Sequence, residues 1–120
     1  VDKAVSAFIE DLEQRGLTDK VLLVITGEFG RTPKINNKGG RDHWGNLCTL
    51  MLAGGGLPMG QVIGQSDRTA SRPATEPVTV KNLLATVMNT LFDVGKLRLV
   101  SGVPDEIARA ITVSQPIPQL

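Results

Sequence analysis

The chain has 120 residues, of which 13 are basic and 12 acidic, and no stretch concentrates Lys and Arg as a nucleic-acid binder requires. The one cysteine excludes an internal disulfide and a multi-cysteine zinc site, and the longest apolar runs are too short to cross a bilayer. The length fits a single domain over residues 1–120, and an opening Val1 within a helical pattern indicates a piece of a longer sequence.

A helix is predicted at the start of the chain, followed by a buried strand. The apolar residues of the helix have the spacing that places them on one helical face: Val1, Ala4, Val5, Phe8, Ile9 and Leu12. Gly16 follows where a left-handed cap would close this helix. The unbroken apolar run 21–25 then predicts a strand buried on both faces, as in a parallel sheet with helices on either side.

The middle of the chain predicts a long polar loop and a second strand. Residues 26–45 show no periodicity, and a loop of this length in a compact domain is usually functional or disordered. Residues 47–53 predict a second buried strand, with Cys48 in the core. The glycines at 54–56 lack the Lys-Ser/Thr of a phosphate-binding loop and predict a tight turn, after which 61–64 predict a short returning strand.

Two further helices are predicted in the last third of the chain. Helical spacing of apolar residues resumes at Val80 and continues to Leu91, with Thr79 as the N-cap. Pro104 and the acidic residues after it are typical of a helix start, and the proline-bearing tail is expected to be extended. The alternation of helices and apolar strands therefore predicts an α/β fold.

The long loop carries a first polar cluster directly after the strand at 21–25. In open α/β sheets, ligands collect beyond the carboxyl ends of the strands, which is where this cluster is expected. Glu28 suits a metal ligand or a general base, and Arg31 can hold an anionic group through two parallel hydrogen bonds. The alternative interpretation is that Glu28 and Arg31 pair with each other and order the loop.

The second polar cluster precedes the second strand and holds Arg41, Asp42, His43 and Trp44. His43 is the only histidine of the chain, and beside a carboxylate it can ligate a metal or move a proton near neutral pH. The alternative interpretation is a histidine that is hydrogen-bonded within a loop, which Trp44 anchors to the core.

Two sequence motifs resemble those of a known family. TGEFGRTP at 26–33 and GGRDHW at 39–44 are similar to motifs of an uncharacterised sulfatase-like domain-of-unknown-function family, family fifteen-oh-one, in the alkaline phosphatase/sulfatase superfamily. The resemblance covers nearly the whole chain. It implies a partial alkaline phosphatase/sulfatase-like layered sheet with helices on both faces. It also implies that this chain is the C-terminal portion of a longer protein that is exported, hence periplasmic or secreted.

The resemblance also implies a metal site. In the superfamily, an Asp-His pair at a strand end binds one metal ion and a later histidine helps to bind another. Glu28 and Phe29 occupy the place of the pair, and His43 that of the later histidine. Phe29 cannot ligate a metal, so the implied ligands in this chain are Glu28, Asp42 and His43. The ion would be zinc, calcium, magnesium or manganese, and the catalytic nucleophile lies outside this chain.

Two hypotheses about function follow. In the first, the full-length protein is a metal-dependent hydrolase of phosphate or sulfate esters, in which Arg31 and Arg41 orient a small anionic ester or a sulfated polysaccharide. In the second, the chain is a non-catalytic binding or structural module that keeps the fold with a degenerate metal site. Under either hypothesis, the open strand edges are expected to be covered by a missing N-terminal half or by self-association.

Overall fold

The computed structural model describes residues 1–112 and 114–120, which form a small mixed α/β structure of short helices and strands. The elements are α1 (Asp2–Gln14), β1 (Leu22–Thr26), β2 (Gly30–Arg31), β3 (His43–Trp44), β4 (Leu50–Gly54), α2 (Val80–Leu91), α3 (Val94–Leu97) and α4 (Asp105–Thr112). β1 pairs with β4 and β2 with β3, in two separate sheets. The predicted α/β class is confirmed. None of the described helices is long and apolar enough to cross a membrane.

The chain folds as two compact units. Unit 1 consists of Val1–Leu22, Ala53–Gly60 and Val78–Leu120, and it contains all four described helices. Unit 2 consists of Leu23–Leu52 and Gln61–Pro77, and it contains the predicted polar loop.

Unit 1 confirms the predicted helices. α1 ends where Gly16 adopts a φ of +64°, the left-handed conformation predicted for its cap. α2 begins at the predicted N-cap, Thr79, which forms a reciprocal capping box with Asn82. α4 starts at Asp105, directly after Pro104, and packs against α2. The short helix α3 was not predicted, and Asp93 caps it by accepting a hydrogen bond from the Lys96 amide.

The C-terminal tail is docked on α2. Ile117 is only 3% exposed, and its amide donates to the buried Thr86 hydroxyl at 2.8 Å. Asn82 donates to the Gln115 carbonyl at 2.9 Å. The tail therefore supplies part of the unit 1 core, whose buried apolar residues are Leu12, Ala53, Ala85, Val94 and Ile117.

Two expectations about the predicted strands are wrong. β1 is not buried on both faces, since Val24 is 37% exposed, because β4 is its only partner strand among the described residues. Cys48 is exposed and precedes β4, which begins only at Leu50; its thiol donates to the Gly27 carbonyl at 3.3 Å.

The predicted returning strand at 61–64 is also wrong. No strand forms there, because the hydrogen bonds of the next residues go to a neighbouring loop. The Gln65 amide donates to the Thr75 hydroxyl at 2.9 Å, and the Ala74 amide donates back to the Gln65 carbonyl at 2.8 Å. The tight turn at the three glycines is confirmed, with positive φ at Gly54, Gly55 and Gly56.

Candidate functional site

The predicted polar loop of unit 2 is folded back on itself. We call residues 28–44 the site loop. Its two ends pair as the antiparallel strands β2 and β3, with Gly30 opposite Trp44 and Arg31 opposite His43. This pairing brings the two predicted clusters together, because Glu28 precedes one strand and Asp42 the other. Glu28, Arg31, Arg41, Asp42 and His43 are all exposed.

One face of the site loop carries a stack of Phe29, His43 and Arg31. The rings of Phe29 and His43 are stacked, with centroids 3.8 Å apart and planes inclined by 29°. The Arg31 guanidinium carbon lies 5.6 Å from the centroid of the Phe29 ring. Such aromatic and cation–π contacts are each worth roughly 0.5–1.5 kcal/mol. Phe29 therefore holds His43 in place, although it cannot ligate a metal itself.

The two arginines are anchored by the backbone of the loop. Arg31 donates from Nη1 to the Arg41 carbonyl at 3.2 Å. Arg41 donates from Nη1 to the carbonyl of Thr32 at 2.7 Å and also to that of Pro33. Nε and Nη2 of both guanidinium groups make no hydrogen bond with the residues that the structure describes. Each arginine thus keeps the edge that binds a planar or tetrahedral anion side-on.

Asn36 and Thr32 fix the rest of the site loop. Asn36 Nδ2 donates to one carboxylate oxygen of Asp42 at 2.9 Å, while its Oδ1 accepts from the amides of Lys38 and Gly40 at 3.0 Å each. The Asp42 amide donates to the Thr32 hydroxyl at 3.1 Å, and the Thr32 amide donates to the Asp42 carbonyl at 3.0 Å. The loop is therefore ordered by its own polar groups.

The alternative pairings considered for the site residues are not formed. Glu28 forms no ion pair with Arg31, and Asp42 forms none with His43, among the residues that the structure describes. The loop is ordered instead by arginine bonds to carbonyls and by Asn36. The alternative interpretation was thus right that the loop orders itself and wrong about the partners.

The predicted metal ligands do not come together as a set. Within 1–112 and 114–120, no three His, Cys, Asp or Glu side chains are placed so that they could hold a metal ion. One Asp42 oxygen is occupied by Asn36, and the His43 ring is held against Phe29. Glu28, Asp42 and His43 alone therefore do not fit a closed metal site, which requires about four ligands. Their assignment as ligands stays a prediction.

A second feature of unit 2 was not predicted from the sequence. A groove of about 400 Å³ lies beside Trp44 and is lined by Thr32, Pro33, Lys34, Trp44, Thr69 and Ser71. Trp44 donates from Nε1 to the Ser71 carbonyl at 2.9 Å. The only sequence signal for this groove was Trp44 itself, because it is the single tryptophan in a chain with few aromatic residues.

Asp67 holds two of the residues that line this groove, Thr69 and Ser71. Its Oδ1 accepts from the amides of Ser71 and Thr69 at 2.8 and 3.1 Å. These bonds, with Ser71 the largest contribution, hold the pKa of the Asp67 carboxyl below its usual range. A lowered pKa means that this stabilisation is present above the ordinary aspartate pKa and is lost as the pH falls through the folded-state value.

Comparisons with known proteins give one match. The family model described as "Protein of unknown function (DUF1501)" matches residues 1–101, which include the whole site loop and the groove. No curated protein and no solved structure matches the chain.

Proposed function

The chain belongs to the DUF1501 family of proteins of unknown function. We propose that its site loop is a binding element for an anionic ester group, held by Arg31 and Arg41. The observation that carries this proposal is the anchoring of both guanidinium groups through Nη1 alone. Their remaining N–H groups are available for two parallel hydrogen bonds to the oxygens of a phosphate or sulfate.

The internal order of the site loop makes the free energy of anion binding more favourable. A free arginine side chain loses about 2 kcal/mol of rotamer entropy when it is immobilised on a ligand. Arg31 and Arg41 are already positioned by loop carbonyls, and Arg31 also by Phe29. Less entropy is therefore lost on binding, which is the general advantage of a preorganised site.

His43 adds a third group to the same face as Arg31. Its ring nitrogens make no hydrogen bond with the described residues, and the Phe29 stack orients the ring. A neutral His43 can donate one hydrogen bond to an anion, and a protonated His43 adds a charge.

Anion binding can be measured by the thermal stabilisation that sulfate or inorganic phosphate gives to the protein. We expect Arg31→Gln to weaken binding about tenfold or more, because a charge-assisted hydrogen bond contributes roughly 1.5–3 kcal/mol. Arg41→Gln should have at least the same effect, since Arg41 also holds the carbonyls of Thr32 and Pro33.

Arg98→Gln is the matched control, because it removes one exposed positive charge from unit 1. It should leave the sulfate response unchanged at constant ionic strength. If Arg31→Gln and Arg41→Gln respond to sulfate as the unmodified protein does, the site loop is not an anion-binding element.

Hydrolysis of a phosphate or sulfate ester by the full-length protein is a second proposal. It is supported by the resemblance of the two motifs and by two groups that are able to ligate a metal and have no partner among the described residues. These are the exposed Glu28 carboxylate and the His43 ring nitrogens. Since Glu28, Asp42 and His43 do not complete a metal site, further ligands and the nucleophile would come from outside this chain.

Elemental analysis of the purified full-length protein tests the second proposal. We expect one equivalent or more of zinc, calcium, magnesium or manganese, with a gain in melting temperature when the ion is added back. A protein without stoichiometric metal, and with unchanged melting on adding these ions, would contradict the metal-dependent reaction and leave the anion-binding proposal in place.

The larger architecture belongs to the same second proposal. An alkaline phosphatase/sulfatase-like layered sheet would cover the apolar side chains that β1 and β4 leave partly exposed, of which Val24 and Met51 are each 37% exposed. The covering elements would come from an N-terminal half or from a second copy. An exported, periplasmic or secreted location and a sulfated polysaccharide as ligand are further parts of this proposal.

A further inference from the structure

The groove beside Trp44 is separate in chemistry from the anion-binding face of the site loop. Successive residues of a strand point to opposite faces, so Trp44 and its neighbour His43 lie on opposite faces of the β2–β3 pair. The groove has a volume of about 400 Å³, within the range of small-molecule sites. Neither proposal above uses it.

Trp44 offers the groove an apolar surface. Its only polar group, the Nε1–H, is already bonded to the Ser71 carbonyl at 2.9 Å. What remains to contact a ligand is therefore the carbon skeleton of the indole ring. The face of an aromatic ring is electron-rich and attracts the slightly positive C–H groups of an aliphatic ring laid against it.

Thr69 and Ser71, which also line the groove, offer hydrogen-bond acceptors. The Thr69 hydroxyl lies 3.0 Å from Asp67 Oδ1 and 2.9 Å from Ser71 Oγ, and the Ser71 hydroxyl lies 3.4 Å from the Thr69 carbonyl. The hydroxyl hydrogens are therefore used within the loop, while lone pairs on both oxygens stay available. A ligand that suits these oxygens must carry hydrogen-bond donors, such as hydroxyl groups.

Lys34 adds a positive charge to the residues that line the groove. Its side chain is exposed and makes no hydrogen bond or ion pair with the described residues. An ammonium group has three donors and no acceptor, so it complements an acidic substituent on the ligand.

We propose that this groove binds a pyranose sugar that carries an acidic group. The C–H face of the sugar lies on Trp44, its hydroxyls donate to the oxygens of Thr69 and Ser71, and its carboxylate or sulfate contacts Lys34. A purely apolar ligand would leave the remaining lone pairs of these two oxygens unused. An inorganic anion would leave the indole surface unused. This inference does not rest on anion binding by Arg31 and Arg41.

Trp44 is the only tryptophan of the chain, so its fluorescence reports directly on the groove. We expect glucuronate to change this fluorescence saturably, and glucose to do so with an affinity about fivefold lower, as an exposed charge contact allows. Lys34→Gln should reduce the affinity for glucuronate to that for glucose and leave glucose binding unchanged. Arg98→Gln, which removes an exposed positive charge from unit 1, should bind glucuronate like the unmodified protein.

Three results would overturn the proposal. The first is no saturable change with glucuronate at concentrations in the tens of millimolar. The second is that inorganic sulfate gives the same change with the same affinity, since this would indicate an anion site without a sugar. The third is that Lys34→Gln keeps the preference for glucuronate over glucose. Because Lys34 is exposed, this variant is expected to fold normally.

Discussion

Replacing Gly30 with alanine is expected to lower the free energy of unfolding of unit 2 by about 3 kcal/mol. This is the upper end of the range for adding a methyl group where the neighbouring atoms cannot move away. Gly30 lies near the start of the site loop, opposite Trp44. A Cβ there would lie far inside the contact distance of the Leu47 carbonyl oxygen, which is backbone and cannot swing away as a side chain would. The backbone at Gly30 or at Leu47 would have to move.

Chemical unfolding followed by Trp44 fluorescence measures this loss, because Trp44 belongs to β3. Gly45→Ala is the matched control, since the added Cβ would meet nothing within 4 Å and Gly45 is not among the residues with positive φ. It should change stability by no more than about 0.5 kcal/mol. Equal midpoints for the two variants would show that Gly30 and the Leu47 carbonyl do not approach as closely as described.

Replacing Gly54 with alanine is expected to cost about 3–4 kcal/mol, from two causes that add. The φ of +81° at Gly54 is unfavourable for any residue with a Cβ, by roughly 1–2 kcal/mol. The Cβ would also collide with the Val21 carbonyl oxygen and lie 2.9 Å from that of Thr18. This backbone is held close because the Gly55 amide donates to both carbonyls, at 2.7 and 2.9 Å.

Gly56→Ala separates the two causes. Gly56 has a similar φ of +73°, but a Cβ there would meet nothing within 4 Å. It should therefore show only the conformational cost of about 1–2 kcal/mol. Unfolding followed by helical circular dichroism is the suitable measurement, because all the described helices belong to unit 1. A Gly54→Ala variant no less stable than Gly56→Ala would contradict the close approach.

The helices were predictable because their signals are local. The apolar spacing of α1, its Gly16 cap and the Thr79 N-cap of α2 are each contained within a few residues, and all three are present. Docking of the tail through Ile117 was not predictable, since it depends on a hydroxyl of Thr86 that is 31 residues away in sequence. The burial of β1 was overestimated because an apolar run shows what could be covered, without showing what covers it.

The site loop was found by its composition, but its internal bonds were not. The sequence places Arg31 near Glu28, so pairing of these two residues was the alternative to a ligand-binding role. The arginines instead bond backbone carbonyls, which every residue supplies and no sequence pattern marks. The strands β2 and β3 have two residues each, too few for any periodicity to reveal.

Phe29 illustrates how a residue can be interpreted correctly and still incompletely. Its position in the family motif led to the conclusion that a metal ligand is missing. The stack at 3.8 Å shows that the same ring positions the only histidine of the chain. A phenylalanine that supports His43 is consistent with the proposed binding of an anion by oriented donors.

The most direct test of the site loop is a sulfate titration of the unmodified protein, observed through the arginine Nε–H signals in nuclear magnetic resonance. We predict that the signals of Arg31 and Arg41 shift saturably with one common dissociation constant, because both guanidinium groups keep Nε free in the same loop. Arg15, whose Nε is bonded to Asp11 at 2.8 Å, should not shift. If all arginine signals drift together without saturation, the site loop does not bind the anion.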